Sequence, residues 1–104
     1  MVLYVVTYDI HPDKTETYLQ WAQQAIPRML AIGGVTELRG YRGAAGAAQI
    51  VATFEFADMA AWAGWHSADD AQAALTELRT LATNVSTALW GPSPLTPQPV
   101  RPGG

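Results

Sequence analysis

Apolar and polar residues alternate along this chain with two distinct periods, and the switch between them is sharpest from residue 47 to residue 67. Ile50, Ala52, Phe54 and Phe56 occupy every second position, the period of a strand with one buried face. Asp58 changes the period, because an Asp ahead of Met59, Trp62 and Trp65 or His66 is an N-cap followed by side chains sharing one helix face. That face is expected to look at the strand's apolar face. Upstream, Val2–Ile10 is β-branched and aromatic in both alternation sets, as in a strand covered on both faces. His11 and Pro12 break it, and Asp13 with Glu16 predicts a capping-box start to a first helix. Tyr18, Trp21 or Ala22, Ala25, Ile26, Met29 and Leu30 follow at helical spacing. Pro27 predicts a kink at residues 23–27, and the glycines Gly33 and Gly34 predict the end.

Val35–Arg42 alternates as a weaker strand, and the glycine-rich turn at 43–46 makes a hairpin into the strand at 47–56. After the tryptophan helix, Ser67 with Asp70 predicts a fresh N-cap. Ala71, Ala74, Leu75, Leu78, Leu81 and Ala82 then form an apolar stripe to about Thr83. Residues 84–90 read as the last strand. The five prolines from Pro92 onward predict an extended or disordered tail, so the domain expected is residues 1–92 and the tail residues 93–104. The element order is βαββαβ, the ferredoxin-like plan: an α+β fold with a four-stranded antiparallel sheet and helices on one face. Strands one and three are central in that plan, and they are the two most apolar here. Since helices cover one face only, the doubly apolar first strand predicts a second sheet over the other, hence a homodimer.

Composition narrows the function. With no cysteine, thiolate catalysis, disulfides and Cys-based metal sites are excluded, and a cytoplasmic location is favoured. The apolar first segment is short, lacks a basic lead-in and meets Asp9 at once. It predicts a strand and neither a signal peptide nor a membrane span. Net charge is −3 with one lysine and five scattered arginines, so no basic stripe awaits nucleic acid. Only 14 % of residues are charged against 49 % apolar, which fits apolar surface committed to a subunit interface. Two histidines 55 positions apart offer no paired metal-ligand spacing, and no glycine loop leads into a helix to hold phosphate. No metal or cofactor is expected.

The strand-to-helix passage YDIHPDKTETYLQWA, the join FEFADMAAWAGW, the step WHSADD and the short closing strand together resemble the dimeric α+β barrel superfamily. Within it the chain, over residues 2–92, is similar to antibiotic-biosynthesis-monooxygenase-like proteins. The resemblance implies small organic substrates and includes cofactor-independent oxygenases of aromatic polyketides. Haem degradation is not implied. Trp65 falls where that branch has its tryptophan, but Gln72, Leu75 and Arg79 stand where its axial histidine belongs, and Val6 or Thr7 replaces its first-strand asparagine.

His66, at a helix junction, is the candidate general base, since imidazole titrates near neutrality; a structural bond to a free backbone group is the plainer role. Trp62 and Trp65 make a wide flat wall for a planar ligand or simply fill core. Tyr4 and Tyr8 share a strand face and offer hydroxyls, Tyr8 as a second catalytic candidate, either to a ligand or to the dimer barrel. Phe54 completes the binding set. Glu37 and Arg39 are expected to pair at an interface. Two functions follow: a cofactor-free monooxygenase of a planar, polyketide-like aromatic, or a non-catalytic binding or structural homodimer.

Overall fold

The computed structural model describes residues 1–103. Gly104, the last residue of the expected tail, lies outside the described residues. Strand β1 (Val2–Ile10) passes through a single 3-10 turn (Pro12–Lys14) into α1 (Thr15–Ala31). Strands β2 (Val35–Arg42) and β3 (Ile50–Phe56) form the hairpin, followed by α2 (Met59–His66), α3 (Asp69–Leu81) and β4 (Ala82–Trp90). The sheet is antiparallel in the order β2-β3-β1-β4, so the two most apolar strands are central, as the ferredoxin-like plan requires.

Alternation sorts the sheet into two faces. Val2, Tyr4, Val6 and Tyr8 of β1, with Phe54 and Phe56 of β3, join Tyr18 of α1, Trp65 of α2 and Ala71 and Leu78 of α3 in one buried core. Register places Tyr4 opposite Phe54 and Leu89, Val6 opposite Ala52, and Tyr8 opposite Ile50. The other face carries Leu3, Val5 and Thr7, flanked by Val51, Thr53 and Ala88. Val5 is only 4 % exposed even without a covering layer.

Helix α1 continues through Pro27 to Ala31, so the proline does not end it. Pro27 and Gln23, whose carbonyl loses its usual partner, are both exposed, so water can satisfy that group and the proline is tolerated. Gly33 and Gly34 then end the helix at φ of 94° and 100°, where glycine is unstrained. A Cβ on Gly34 would also lie 3.3 Å from the Ala61 carbonyl oxygen, so α2 approaches this exit closely.

The capping box does not form. Asp13 bonds the His11 ring nitrogen at 2.7 Å, and α1 begins at Thr15 with no side-chain cap. Ser67 closes α2 instead of opening α3, its hydroxyl donating to the Gly64 carbonyl, while α3 starts after Ala68 with Asp69 and Asp70 favourably placed in its first turn. The Asp58 cap stands, accepting from the Ala61 N–H at 2.8 Å. Helix α3 stops at Leu81 and the chain enters β4 at once, two residues earlier than the pattern suggested. The register of β1 on β4 shifts there, between Thr7 and Asp9. Asn84 takes φ 55°, a left-handed conformation Asn tolerates, and its amide donates to Asp9.

Candidate functional site

Between the inner sheet face and helices α1 and α3 lies a cavity of about 150 Å³. Its floor is β1 and β3, its roof Trp21, Ala22 and Met29 of α1 with Leu75 and Leu78 of α3, and its end wall Trp65. Ile26, Arg39 and Gly40 line it yet stay exposed, so it opens between α1 and β2.

Trp65 is locked in place. It is 4 % exposed, its indole N–H donates to the Met29 carbonyl at 2.9 Å, and its ring packs on Phe54 and Phe56 at 5.0 and 5.4 Å between centroids. The α2 N-cap and the close approach at Gly34 fix the helix that presents it. Trp62 sits differently: it is half-buried, stacks on His66 at 4.8 Å and touches Tyr4, but it does not line the cavity. Its indole N–H is buried without a partner. The flat wall is therefore Trp65 alone, with Trp62 buttressing from behind.

His66 does line the cavity, edge-on to Tyr4 at 5.5 Å. The Gln72 amide donates to the His66 carbonyl at 2.7 Å and lies 3.4 Å from its Nε2, so the helix junction holds the imidazole from outside. Tyr4 and Tyr8 both face the cavity, which places them on the core side of β1 and leaves Leu3, Val5 and Thr7 for the opposite face. Burial raises the Tyr4 hydroxyl's pKa, against opposing pulls from the Thr87 hydroxyl and the Arg79 charge.

Tyr8 bonds Tyr18 hydroxyl to hydroxyl at 2.5 Å in a buried setting. Burial first, and then that bond, pushes the Tyr8 pKa far above the ordinary phenolic value, so the phenol stays neutral. Tyr18 belongs to the site although the sequence reading assigned it only to the helix stripe. The overlooked signal was a polar-tipped aromatic on the stripe of the helix that must cross Tyr8. Trp21 is the second such residue. Its N–H donates to Glu77 at 2.8 Å, and Arg28 donates to the same carboxylate oxygen at 2.7 Å. Arg28, then Trp21, lower the Glu77 pKa, and this cluster ties α1 to α3 over the cavity. Phe54 is buried under Trp65 on the lining. Glu37 and Arg39 pair within one strand on its exposed side. Among the described residues no cluster of three potential ligands could hold a metal ion, and no helix is long and apolar enough to cross a membrane.

No curated protein matches the chain in sequence. Solved structures share its fold. A DABB-family protein with a ferredoxin-like fold from Mesorhizobium loti aligns with TM-score 0.77 at 19 % identity over 88 % of this chain and 96 % of its own. Rv0793 from Mycobacterium tuberculosis aligns with TM-score 0.72 at 16 % identity over 88 % and 94 %. A candidate antibiotic biosynthesis monooxygenase from Deinococcus radiodurans aligns with TM-score 0.77 at 11 % identity over the whole of both chains. The sequence profile of the antibiotic biosynthesis monooxygenase family matches residues 1–77, and with that match over most of the folded domain the chain belongs to this family.

Proposed function

We propose that the protein is a homodimeric, cofactor-independent monooxygenase that takes a small, planar, weakly polar hydroxyarene into the cavity beside Trp65. The observation that carries this reading is the cavity itself: about 150 Å³ of mostly apolar and aromatic lining with the bonded Tyr8 and Tyr18 hydroxyls at one end and an imidazole at the other. Tyr4 and Tyr8 are four residues apart on one strand, so the two ends are separated by about 13 Å. A hydroxyarene oxygen bonds the tyrosine end while the ring lies against Val6 and Ala52. His66 brings the one imidazole to the lining, the side-chain type suited to proton transfer.

The overall reaction balances without a cofactor: a hydroxyarene and dioxygen give a quinone and water, the arene supplying all four electrons. The protein's part is to hold the ring, accept the proton and keep bulk water out. Charged metabolites fit poorly, because the lining offers no free counter-charge. The dimer is supported by the outer sheet face, where Leu3, Val5, Val51 and Ala88 form an apolar strip and Trp90, at 58 % exposure, stands at its edge.

A second reading, a binding dimer without catalysis, is favoured by the fact that the polar groups are already engaged: Tyr8 with Tyr18, and His66 beside Gln72. Tryptophan fluorescence titrated with hydroxyarenes and with sugar phosphates tests the ligand class, and dioxygen uptake with quinone absorbance tests the chemistry. Binding of hydroxyarenes with dioxygen uptake supports the oxygenase, and binding without uptake supports the second reading. Quenching by sugar phosphates alone would overturn both.

A further inference from the structure

Resting on the reading of the cavity as a ligand site, we infer that its occupant is a single-ring phenol, held by the Tyr8–Tyr18 hydroxyl pair, and not a fused polycyclic arene. Two observations converge on this. The first is size. An apolar cavity of about 150 Å³ accommodates one benzene-sized ring, and since it opens only between α1 and β2, further fused rings would have to displace Trp65 or Met29 or stay outside in solvent, unburied. The Trp65 ring and the α1 backbone do not move freely, because the Trp65 indole is bonded to the Met29 main-chain carbonyl and α1 is tied to α3 through Glu77.

The second observation is polarity. Of the other polar groups along the lining, the Trp65 N–H is committed to Met29, the Trp21 N–H to Glu77 and the Arg39 guanidinium to Glu37 on the exposed strand edge, while Tyr4 and His66 stand together at the other end of the cavity. Two phenolic hydroxyls carry two protons. One makes the Tyr8–Tyr18 bond, and the other finds no acceptor among the described residues. Such a pair donates one hydrogen bond outward, strengthened by the bond behind it, and keeps lone pairs to accept one in return. A phenol hydroxyl both donates and accepts, so it completes the pair. A hydrocarbon of equal size leaves the buried donor unmet, and a carboxylate brings a charge with nothing to balance it.

The test measures dissociation constants by calorimetry for phenol, toluene, 1-naphthol and 9-phenanthrol on the full chain and on the double variant Tyr8→Phe/Tyr18→Phe. Wild type is expected to bind phenol about tenfold more tightly than toluene, one good hydrogen bond's worth. It should bind 9-phenanthrol at least tenfold more weakly than phenol. In the double variant phenol should fall to the toluene value while toluene holds its own, a control that the cavity still forms. Tighter binding of 9-phenanthrol than phenol, or equal affinity for phenol and toluene in wild type, would overturn the inference while leaving the cavity as a ligand site. No binding by any of the four would overturn the ligand-site reading together with it.

Discussion

Replacing Trp65 is the sharpest perturbation of this architecture, because one side chain both closes the core and walls the cavity. Trp65→Ala removes a ring that is 4 % exposed and in contact with Phe54, Phe56 and Tyr4, so the void cannot collapse easily. A buried Trp→Ala truncation costs about 3–5 kcal/mol, and orphaning the Met29 carbonyl adds to it. That is a large part of the roughly 5–15 kcal/mol that holds a domain of this size together. Trp65→Phe keeps much of the packing and loses chiefly the indole hydrogen bond, for about 1–3 kcal/mol. At roughly 4–8 °C per kcal/mol, Trp65→Phe should lower the Tm by about 10 °C, and Trp65→Ala should leave the protein barely folded at room temperature. Urea unfolding at fixed protein concentration reads both, with the slope of free energy against urea expected to stay constant. A cost under about 1 kcal/mol for Trp65→Ala would refute the reasoning, showing that the core and cavity do not depend on this ring.

On the outer face, sedimentation at micromolar concentration should give twice the 11.2 kDa chain mass, and Val51→Glu should shift it toward the monomer. A wild-type mass near that of one chain would remove the dimer from the account. Deleting residues 95–104 should leave the Tm nearly unchanged. Segment 96–100 lies beside Met1, Leu3 and Trp90, but Leu95 and Val100 are highly exposed. Loss of the dimer on that deletion would show that the tail wraps its partner. Alkali should destabilise the fold through Tyr8. Its folded pKa is raised, so the unfolded chain loses the proton first, and stability is intact below about pH 10 and falls as pH rises above it. Tyr8→Phe should flatten that decline by up to about 1.4 kcal/mol per pH unit, measured by urea unfolding from pH 9 to 11. An unchanged slope would contradict the burial of this hydroxyl.

Element order and strand centrality were legible in the sequence because they rest on periodicity, which is local: Ile50 to Phe56 and Val2 to Ile10 declare strands without reference to anything else. Caps were less legible, since Asp13 and Ser67 each had a competing local partner, His11 and the Gly64 carbonyl, that the spacing rule does not weigh. The cost of Pro27 is hidden in the sequence for a similar reason. Its cost depends on whether the freed carbonyl reaches water, and that depends on which side of the helix faces the sheet. The site was legible in its strand residues and in Trp65 and His66, all fixed by one strand-to-helix join. Tyr18 was not, because its meaning comes from a hydroxyl on another element, and Trp62 was grouped with Trp65 because the two share a helix face, although Trp62 lies one turn nearer the start of α2 and does not line the cavity.

The central claim is that a planar hydroxyarene occupies the cavity between the sheet and α1 and α3. Isotope-filtered NOE spectroscopy on methyl-labelled protein, with whichever hydroxyarene binds most tightly, tests it directly. Contacts are expected from the ligand ring to the methyl groups of Val6, Met29 and Leu75, which line the cavity from three elements. Contacts instead to Leu3, Val5 and Val51 would place the ligand on the opposite face of the sheet and contradict it.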